Sequence, residues 1–179
     1  MTTANKLTIF RVVLIPVFLV LAYAGQTGWA LGVFILASLT DMADGYIARH
    51  YNQITDFGKF MDPLADKVLV MAAMCFFVEA GRMSGWALAI VLLREFAVSG
   101  MRLVAVEQGR VIAAAPSGKI KTAATMVCLC LMLFFGPPEP WDSAPDFIAQ
   151  ISTAVILITT VWSGVEYFWK NRDVFRHVD

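Results

Sequence analysis

Long apolar runs separated by short polar stretches follow one another through most of the chain. A helix needs about 20 residues to cross the hydrocarbon core of a bilayer, and the chain contains six runs of about that length. These runs cover residues 7–25, 29–49, 60–80, 84–107, 118–136 and 146–169. The pattern predicts an all-α, polytopic membrane protein, a bundle of six transmembrane helices.

Charged residues interrupt several of these runs, so apolar length alone leaves the second, third and fourth spans uncertain. The placement of positive charge supports all six. With six spans and both termini on one side, every lysine and arginine except Arg82 falls on that side. Because cytoplasmic flanks collect Lys and Arg, both termini are predicted to be cytoplasmic.

The composition is also typical of a membrane protein. Hydrophobic residues make up 59% of the 179 residues and charged residues only 16%, which is far from the average of soluble domains. The net charge of zero gives no support to nucleic-acid binding through bulk basicity. Nothing marks a second domain, so a single integral membrane domain is predicted over residues 1–179.

Carboxylates concentrate where the second run ends and the third begins. Asp41 and Asp44 are three positions apart, which places them about 60° apart on one helix face. Asp62 and Asp66 are four positions apart and also share a face. Because the two runs are adjacent and antiparallel, the two pairs can face each other. Asp56 lies outside both pairs and is expected in the loop, where it could cap the next helix.

Four negative charges held close together repel one another strongly. Hard divalent cations such as Mg²⁺ bind carboxylate oxygens and would neutralise such a group. The alternative is that these are solvated aspartates at helix ends with no common role. Gly45 and Gly58 favour a site, since small residues let a ligand or a neighbouring backbone approach closely.

The spacing of this segment resembles the signature of the CDP-alcohol phosphotransferase family, and every fixed position is present. The matching string is Asp41-x2-Asp44-Gly45-x2-Ala48-Arg49-x8-Gly58-x3-Asp62-x3-Asp66. Two further segments resemble the bacterial phosphatidylglycerophosphate synthase branch of that family. They are Asn5-x2-Thr8-x2-Arg11, and Arg94-Glu95 through Gly118-Lys119-Ile120-Lys121-Thr122.

The resemblance implies a six-helix enzyme of the bacterial inner membrane, usually a homodimer, with a polar cavity open to the cytoplasm. It implies a CDP-diacylglycerol donor, an alcohol acceptor, CMP as leaving group and two divalent cations, Mg²⁺ or Mn²⁺. The implied metal ligands are Asp41, Asp44, Asp62 and Asp66. The implied donor and nucleotide contacts are Asn5, Thr8, Arg11, Gly45, Ala48, Arg49 and Gly58. For the first three, the alternative is a helix cap with an anchor at the cytoplasmic surface.

The chemistry expected at this segment is phosphoryl transfer assisted by metal ions. Asp66 is the candidate base that takes the proton of the acceptor hydroxyl. A carboxylate that binds two cations tightly is a weak base, so Asp66 could instead be only a ligand. Ser38 and Thr40 lie nearby without a visible histidine partner, which favours direct displacement over a covalent intermediate.

Four basic residues in the fourth and fifth runs suggest that the acceptor carries a phosphate. They are Arg94, Arg102, Lys119 and Lys121. The arginines are eight positions apart, about 80° around a helix, so they can share a face. The lysines are two apart and cannot both point the same way. The alternatives are an ion pair between Arg94 and an acid such as Glu95, and lysines that reach the lipid headgroups.

The charges alone do not separate sn-glycerol 3-phosphate from inositol phosphate. The branch resemblance favours sn-glycerol 3-phosphate, which would give phosphatidylglycerophosphate and CMP. A rival from another class is a divalent-cation transporter that uses the same aspartates, since acids inside membranes also mark ion pathways. The crowding of charge in the cytoplasmic half speaks against it. A non-catalytic membrane scaffold would leave the spacing of the four aspartates unexplained.

Overall fold

The protein is described here from a computed structural model. The structure describes residues 3–50, 56–109, 112–113, 115–136 and 147–173. For residues 3–8, 41–50 and 56–66 it describes the backbone only. Within these ranges the structure contains α-helices and no strand. The helices are α1 (Thr3–Tyr23), α2 (Thr27–His50), α3 (Asp56–Glu79), α4 (Gly85–Glu107), α5 (Pro116–Phe134) and α6 (Phe147–Lys170). The all-α prediction is confirmed for the described residues.

The helices coincide with the six predicted runs, but some of them begin earlier. α1 begins at Thr3 rather than near residue 7, and α3 begins at Asp56 rather than near residue 60. An apolar run reports the part of a helix that suits hydrocarbon, whereas backbone hydrogen bonding continues through polar residues beyond it. Asp56 is therefore the first residue of α3. The prediction that it lies in the loop is wrong.

Local signals explain where α1 ends and α5 begins. The Gln26 N–H donates to the Leu21 carbonyl and the Gly25 N–H donates to the Ala22 carbonyl, at 3.0 and 3.1 Å. These two bonds form a Schellman motif, and it requires the positive φ of 74° that Gly25 adopts. Pro116 opens α5, where its missing N–H costs nothing and its fixed φ suits the first turn.

The chain divides into two compact units. The first comprises Met1–Gly81 and Leu129–Ala144. In it α1 contacts both α2 and α3, and α2 contacts α3. Phe18 and Phe34 pack with ring centroids 5.7 Å apart, and both are fully buried. Where α1 and α3 meet, the Tyr23 hydroxyl donates a hydrogen bond to the Glu79 carboxylate.

The second unit comprises Arg82–Cys128 and Pro145–Asp179. In it α4 contacts α6. Its core includes Val98 and Met101 of α4 and Tyr167 of α6, and Ile112 and Phe168 pack against them. Whether the whole chain acts as one catalytic domain stays a prediction.

The apolar surface fits a membrane protein. Among the described residues, α5 and α6 are long and apolar enough to cross a bilayer, and shorter apolar helical segments cover Ile9–Tyr23 and Thr27–Thr40. Large apolar side chains are exposed on every one of the described helices, as on Val20 of α1 or Phe96 of α4. Soluble monomers seldom expose apolar surface on this scale. Six spans, and the side on which the termini lie, stay predictions.

Candidate active site

The four predicted metal ligands lie on two helices of the first unit. Asp41 and Asp44 belong to the second half of α2, and Asp62 and Asp66 belong to the first half of α3. Both pairs lie on helices, as predicted, and the two helices are in contact. The carboxylates themselves lie outside the described residues, so metal binding by these aspartates stays a prediction.

The residues predicted to contact the nucleotide lie on the same two helices. Gly45, Ala48 and Arg49 belong to α2, and Gly58 belongs to α3. Their surroundings also lie outside the described residues. The backbone therefore gathers the residues of the family signature on one helix pair, and their roles toward a nucleotide stay predictions.

Of the residues predicted to contact the donor diphosphate, the structure describes one side chain. Asn5 and Thr8 lie on α1, but their side chains fall outside the described part of the chain. Arg11, one turn further along α1, is fully buried. Cations on membrane helices usually face the protein interior or a wet cavity. Complete burial of Arg11 argues against the alternative in which this residue anchors the helix at a surface.

The second unit brings two of the predicted cations onto one carboxylate. Glu95 Oε1 accepts a hydrogen bond from Arg94 Nη1 at 2.8 Å and another from Lys121 Nζ at 2.6 Å. The side chains retain only 13%, 15% and 7% of their exposure for Arg94, Glu95 and Lys121. We call this group the Arg94–Glu95–Lys121 cluster. The ion pair between Arg94 and Glu95, given above as an alternative to phosphate binding, is thus present.

The local sequence explains why these side chains turn inward. Arg94 lies between the buried residues Val91 and Val98 of α4, three positions from one and four from the other. Lys121 lies four positions from both Ser117 and Thr125 of α5, and all three are buried. Residues at these spacings share a helix face. Pairing with Glu95 lowers the cost of burying the two cations.

The remaining two predicted cations are placed differently. Lys119 is exposed whereas Lys121 is buried, so the prediction that they point apart is confirmed. Arg102 donates from Nε to the Tyr167 hydroxyl at 3.2 Å, and its Cζ lies 5.6 Å from the centre of that ring. Arg94 and Arg102 both contact α6, which confirms the predicted shared face of α4.

One net positive charge remains on the Arg94–Glu95–Lys121 cluster, since two cations share one anion. Guanidinium and ammonium groups both bind phosphate oxygens, the guanidinium through two parallel hydrogen bonds. The cluster is therefore able to take an anionic ligand. Whether it binds the acceptor phosphate stays a prediction.

Sequence reasoning missed three residues at this site. Glu95 was considered only as a counter-ion of Arg94, and its second partner Lys121 is 26 positions away. Gly164 and Tyr167 of α6 were given no role, although they contact Arg94 and Arg102. An acid beside an arginine in an apolar run was a usable signal for Glu95. A small and an aromatic residue in an apolar helix carry no such signal.

Comparisons with known proteins extend over nearly the whole chain. A family model described as CDP-alcohol phosphatidyltransferase matches residues 1–162. A protein of Bacillus subtilis (strain 168) named CDP-diacylglycerol–glycerol-3-phosphate 3-phosphatidyltransferase is 40% identical over 187 residues, covering 96% of each chain. A protein of Salmonella paratyphi A with the same name is 41% identical, covering 93% of this chain and 92% of its own.

A more distant relative carries a related name. A Mycobacterium tuberculosis protein named probable phosphatidylglycerophosphate synthase is 34% identical over 92% of this chain and 78% of its own. The matched region extends well beyond the aspartate signature and includes the helices that carry the basic residues. The chain belongs to the CDP-alcohol phosphatidyltransferase family.

Proposed function

We propose that this protein is a membrane phosphatidyltransferase that makes phosphatidylglycerophosphate and CMP from CDP-diacylglycerol and sn-glycerol 3-phosphate. The observation that carries the proposal is the near full-length similarity to relatives named for this reaction, at 34–41% identity. The complete aspartate signature on α2 and α3 supports it.

The donor is held, in this proposal, by residues of the first unit. Asn5, Thr8 and Arg11 of α1 bind its diphosphate, and the full burial of Arg11 fits a cation that serves an interior ligand. Gly45, Ala48 and Gly58 leave room for the cytidine, and Arg49 lies beside the nucleotide. Small residues at these positions keep the helix surfaces open to a flat base.

The family is in general dependent on divalent cations, and the residues present fit that requirement. Asp41, Asp44, Asp62 and Asp66 supply hard oxygen ligands from two contacting helices, the ligand type that Mg²⁺ and Mn²⁺ prefer. We propose that they hold two such ions. When bound, the ions screen the negative charge of the diphosphate and stabilise the charge that develops on the departing CMP.

The reaction proceeds, in this proposal, by direct displacement. The acceptor hydroxyl oxygen forms a bond to the phosphatidyl phosphorus while the bond between that phosphorus and the CMP oxygen breaks. Asp66 takes the proton that the hydroxyl loses, or acts only as a ligand if the cations hold it tightly. One displacement inverts the configuration at phosphorus, so a trapped phosphatidyl-enzyme intermediate would contradict this course.

The acceptor phosphate is bound by cations of the second unit. The net positive charge that remains on the Arg94–Glu95–Lys121 cluster supports this assignment. Arg102 and Lys119 complete the set. An acceptor without a phosphate, such as serine, would make little use of the remaining positive charge, whereas glycerol 3-phosphate brings a doubly charged phosphate.

The proposed setting is the inner membrane of a bacterium. Six spans, cytoplasmic termini and a cytoplasmic active site follow from the distribution of lysine and arginine. The donor reaches the site from the lipid and the acceptor from the cytoplasm. The family resemblance adds a homodimer. Cysteine labelling from each side of sealed vesicles, at positions near residues 110 and 137, checks this orientation.

The decisive experiment measures CMP release by purified protein from CDP-diacylglycerol. Glycerol 3-phosphate and inositol phosphate are offered separately, each with and without a chelator of divalent cations. We expect release with glycerol 3-phosphate, loss of release with chelator, and recovery when Mg²⁺ or Mn²⁺ is added. Release only with inositol phosphate would change the acceptor. Divalent-ion uptake into liposomes without CMP release would favour a transporter.

A further inference from the structure

One face of α6 contacts both arginines of α4. Gly164 and Tyr167 are three positions apart on α6, share one face, and are both buried. Gly164 lies against Arg94, and Tyr167 lies against Arg102. The helices α4 and α6 are in contact within the second unit, so these pairs belong to one packed surface.

Gly164 leaves the space that the stem of Arg94 fills. A Cβ added at Gly164 would lie 3.2 Å from Arg94 Cγ, closer than nearly all real contacts of this kind. Cγ is near the root of the side chain, so a shift there is carried out to the guanidinium. A side chain at position 164 would therefore require the Arg94 side chain to shift by a few tenths of an ångström, and we expect this shift to disturb the guanidinium beside Glu95.

Gly118 of α5 flanks the same guanidinium from another helix. A Cβ added there would lie 3.9 Å from Arg94 Nη2, which is an ordinary contact distance. Arg94 is thus bounded by glycines on α5 and α6, and only the one on α6 is so close that an added Cβ would require Arg94 to shift. This difference gives an internal reference for substitutions at the two glycines.

Tyr167 fixes Arg102 in two ways. Its hydroxyl accepts the Arg102 Nε–H at 3.2 Å, and its ring lies 5.6 Å from the Arg102 Cζ. Tyr167 is itself buried in the core with Val98 and Met101. Because that packing restricts the ring, Tyr167 offers Arg102 a fixed hydrogen-bond acceptor. Because Nε is used, the two terminal nitrogens of Arg102 are left to face a ligand.

We propose that this face of α6 positions the two arginines for the phosphate of the acceptor, with Gly164 acting through Arg94 and Tyr167 through Arg102. The inference rests on the proposed function. Neither residue touches the acceptor; both are positioning residues. A free arginine side chain loses considerable rotamer freedom on binding, so holding it in place beforehand strengthens binding.

The test is a pair of double-mutant cycles with the full-length protein and CDP-diacylglycerol. Gly164→Ala and Tyr167→Phe are each made alone and in the Arg94→Ala or Arg102→Ala background. We expect each single change to raise the KM for glycerol 3-phosphate by about three- to tenfold, the size of a lost side-chain hydrogen bond. The KM for the donor stays the same. In the matching arginine-to-alanine background the same change has no further effect.

Matched controls come from the same chain. Gly100→Ala on α4 adds a methyl group where nothing lies within 4 Å, and Gly118→Ala adds one at an ordinary contact distance. Tyr23→Phe removes a hydroxyl whose partner is Glu79 on α3. All three are expected to leave the acceptor KM unchanged.

Two outcomes overturn the inference. Unchanged acceptor KM in both single variants would mean that α6 does not position the arginines. Equal effects with and without the arginine would mean that Gly164 and Tyr167 act on general packing. Should Gly164→Ala fail to fold, Tyr167→Phe decides alone, because it conserves the ring. Failure of the proposed function looks different, since the wild-type protein would then release no CMP with glycerol 3-phosphate.

Discussion

The acidic pair α2–α3 and the basic Arg94–Glu95–Lys121 cluster differ in how their charges are arranged. The first gathers Asp41, Asp44, Asp62 and Asp66, all of one sign, on two helices joined by residues 51–55. The second mixes signs, takes its members from two helices, and borders on α6. Carboxylates that lie close together repel one another, and bound cations would relieve that repulsion. The basic cluster contains its own counter-ion, Glu95.

The proposed roles of the two sites therefore rest on different properties of their side chains, charge at the acidic pair and geometry at the basic cluster. In the proposed function, the acidic pair acts through the charge of each carboxylate, since a ligand that loses its charge cannot be replaced by packing. The basic cluster acts, in the same proposal, through geometry, since Glu95 and α6 hold the cations in place. Substitutions can separate these two dependences.

The largest effect is expected at the acidic pair. Asp44→Asn and Asp66→Asn should each reduce CMP release by about 10²-fold or more, because each removes a charge needed to bind metal or to accept a proton. Asp56→Asn on the same helix as Asp66 is the control and should keep most activity. Full activity of Asp66→Asn would exclude Asp66 as the base, and loss in Asp56→Asn would enlarge the acidic site.

A smaller effect is expected when the counter-ion of the basic cluster is removed. Glu95→Gln leaves Arg94 and Lys121 close together without their shared anion. We expect a loss of about 1.5–3 kcal/mol in the free energy of unfolding, the range for a hydrogen bond to a charged group. The KM for glycerol 3-phosphate should rise with it, while the KM for the donor is conserved.

Thermal unfolding in detergent and acceptor titration measure the two effects of Glu95→Gln. Glu107→Gln, at the exposed end of the same helix, is the matched control and should change neither. A stability loss without any change in acceptor KM would assign Glu95 to packing alone. The basic cluster would then lose its link to the acceptor.

The smallest effects are expected for Arg102 and Lys119, the two predicted cations that lie outside the Arg94–Glu95–Lys121 cluster. Arg102→Ala should raise the acceptor KM more than Lys119→Ala, because the exposed Arg102 is held by a hydrogen bond and a ring contact from Tyr167. An exposed cation without such contacts contributes little to a fixed site, since it keeps its rotamer freedom and is screened by water. Steady-state kinetics with varied glycerol 3-phosphate measure the order. The reverse order would place the phosphate near Lys119 and away from α6.

Much of the helical architecture could be predicted from the sequence, because the length of an apolar run is a strong indicator of a helix. The six runs matched six helices, and the misplaced starts of α1 and α3 came from polar turns that continue a helix beyond its apolar part. The aspartate signature was likewise readable, since its residues lie within one short segment. The shared carboxylate of Glu95 was not readable, because its partners are far apart in the chain.

The sequence by itself determined the helices, the family and the residue types available for catalysis, because apolar length and fixed local spacing act over a few turns of chain. Only the tertiary structure decided which cations meet. Lys121 bonds to Glu95 and Lys119 does not, Arg94 packs closely against Gly164, and Arg102 donates a hydrogen bond to Tyr167. These contacts depend on how α4, α5 and α6 pack against one another. No short sequence pattern specifies the packing of helices that are far apart in the chain.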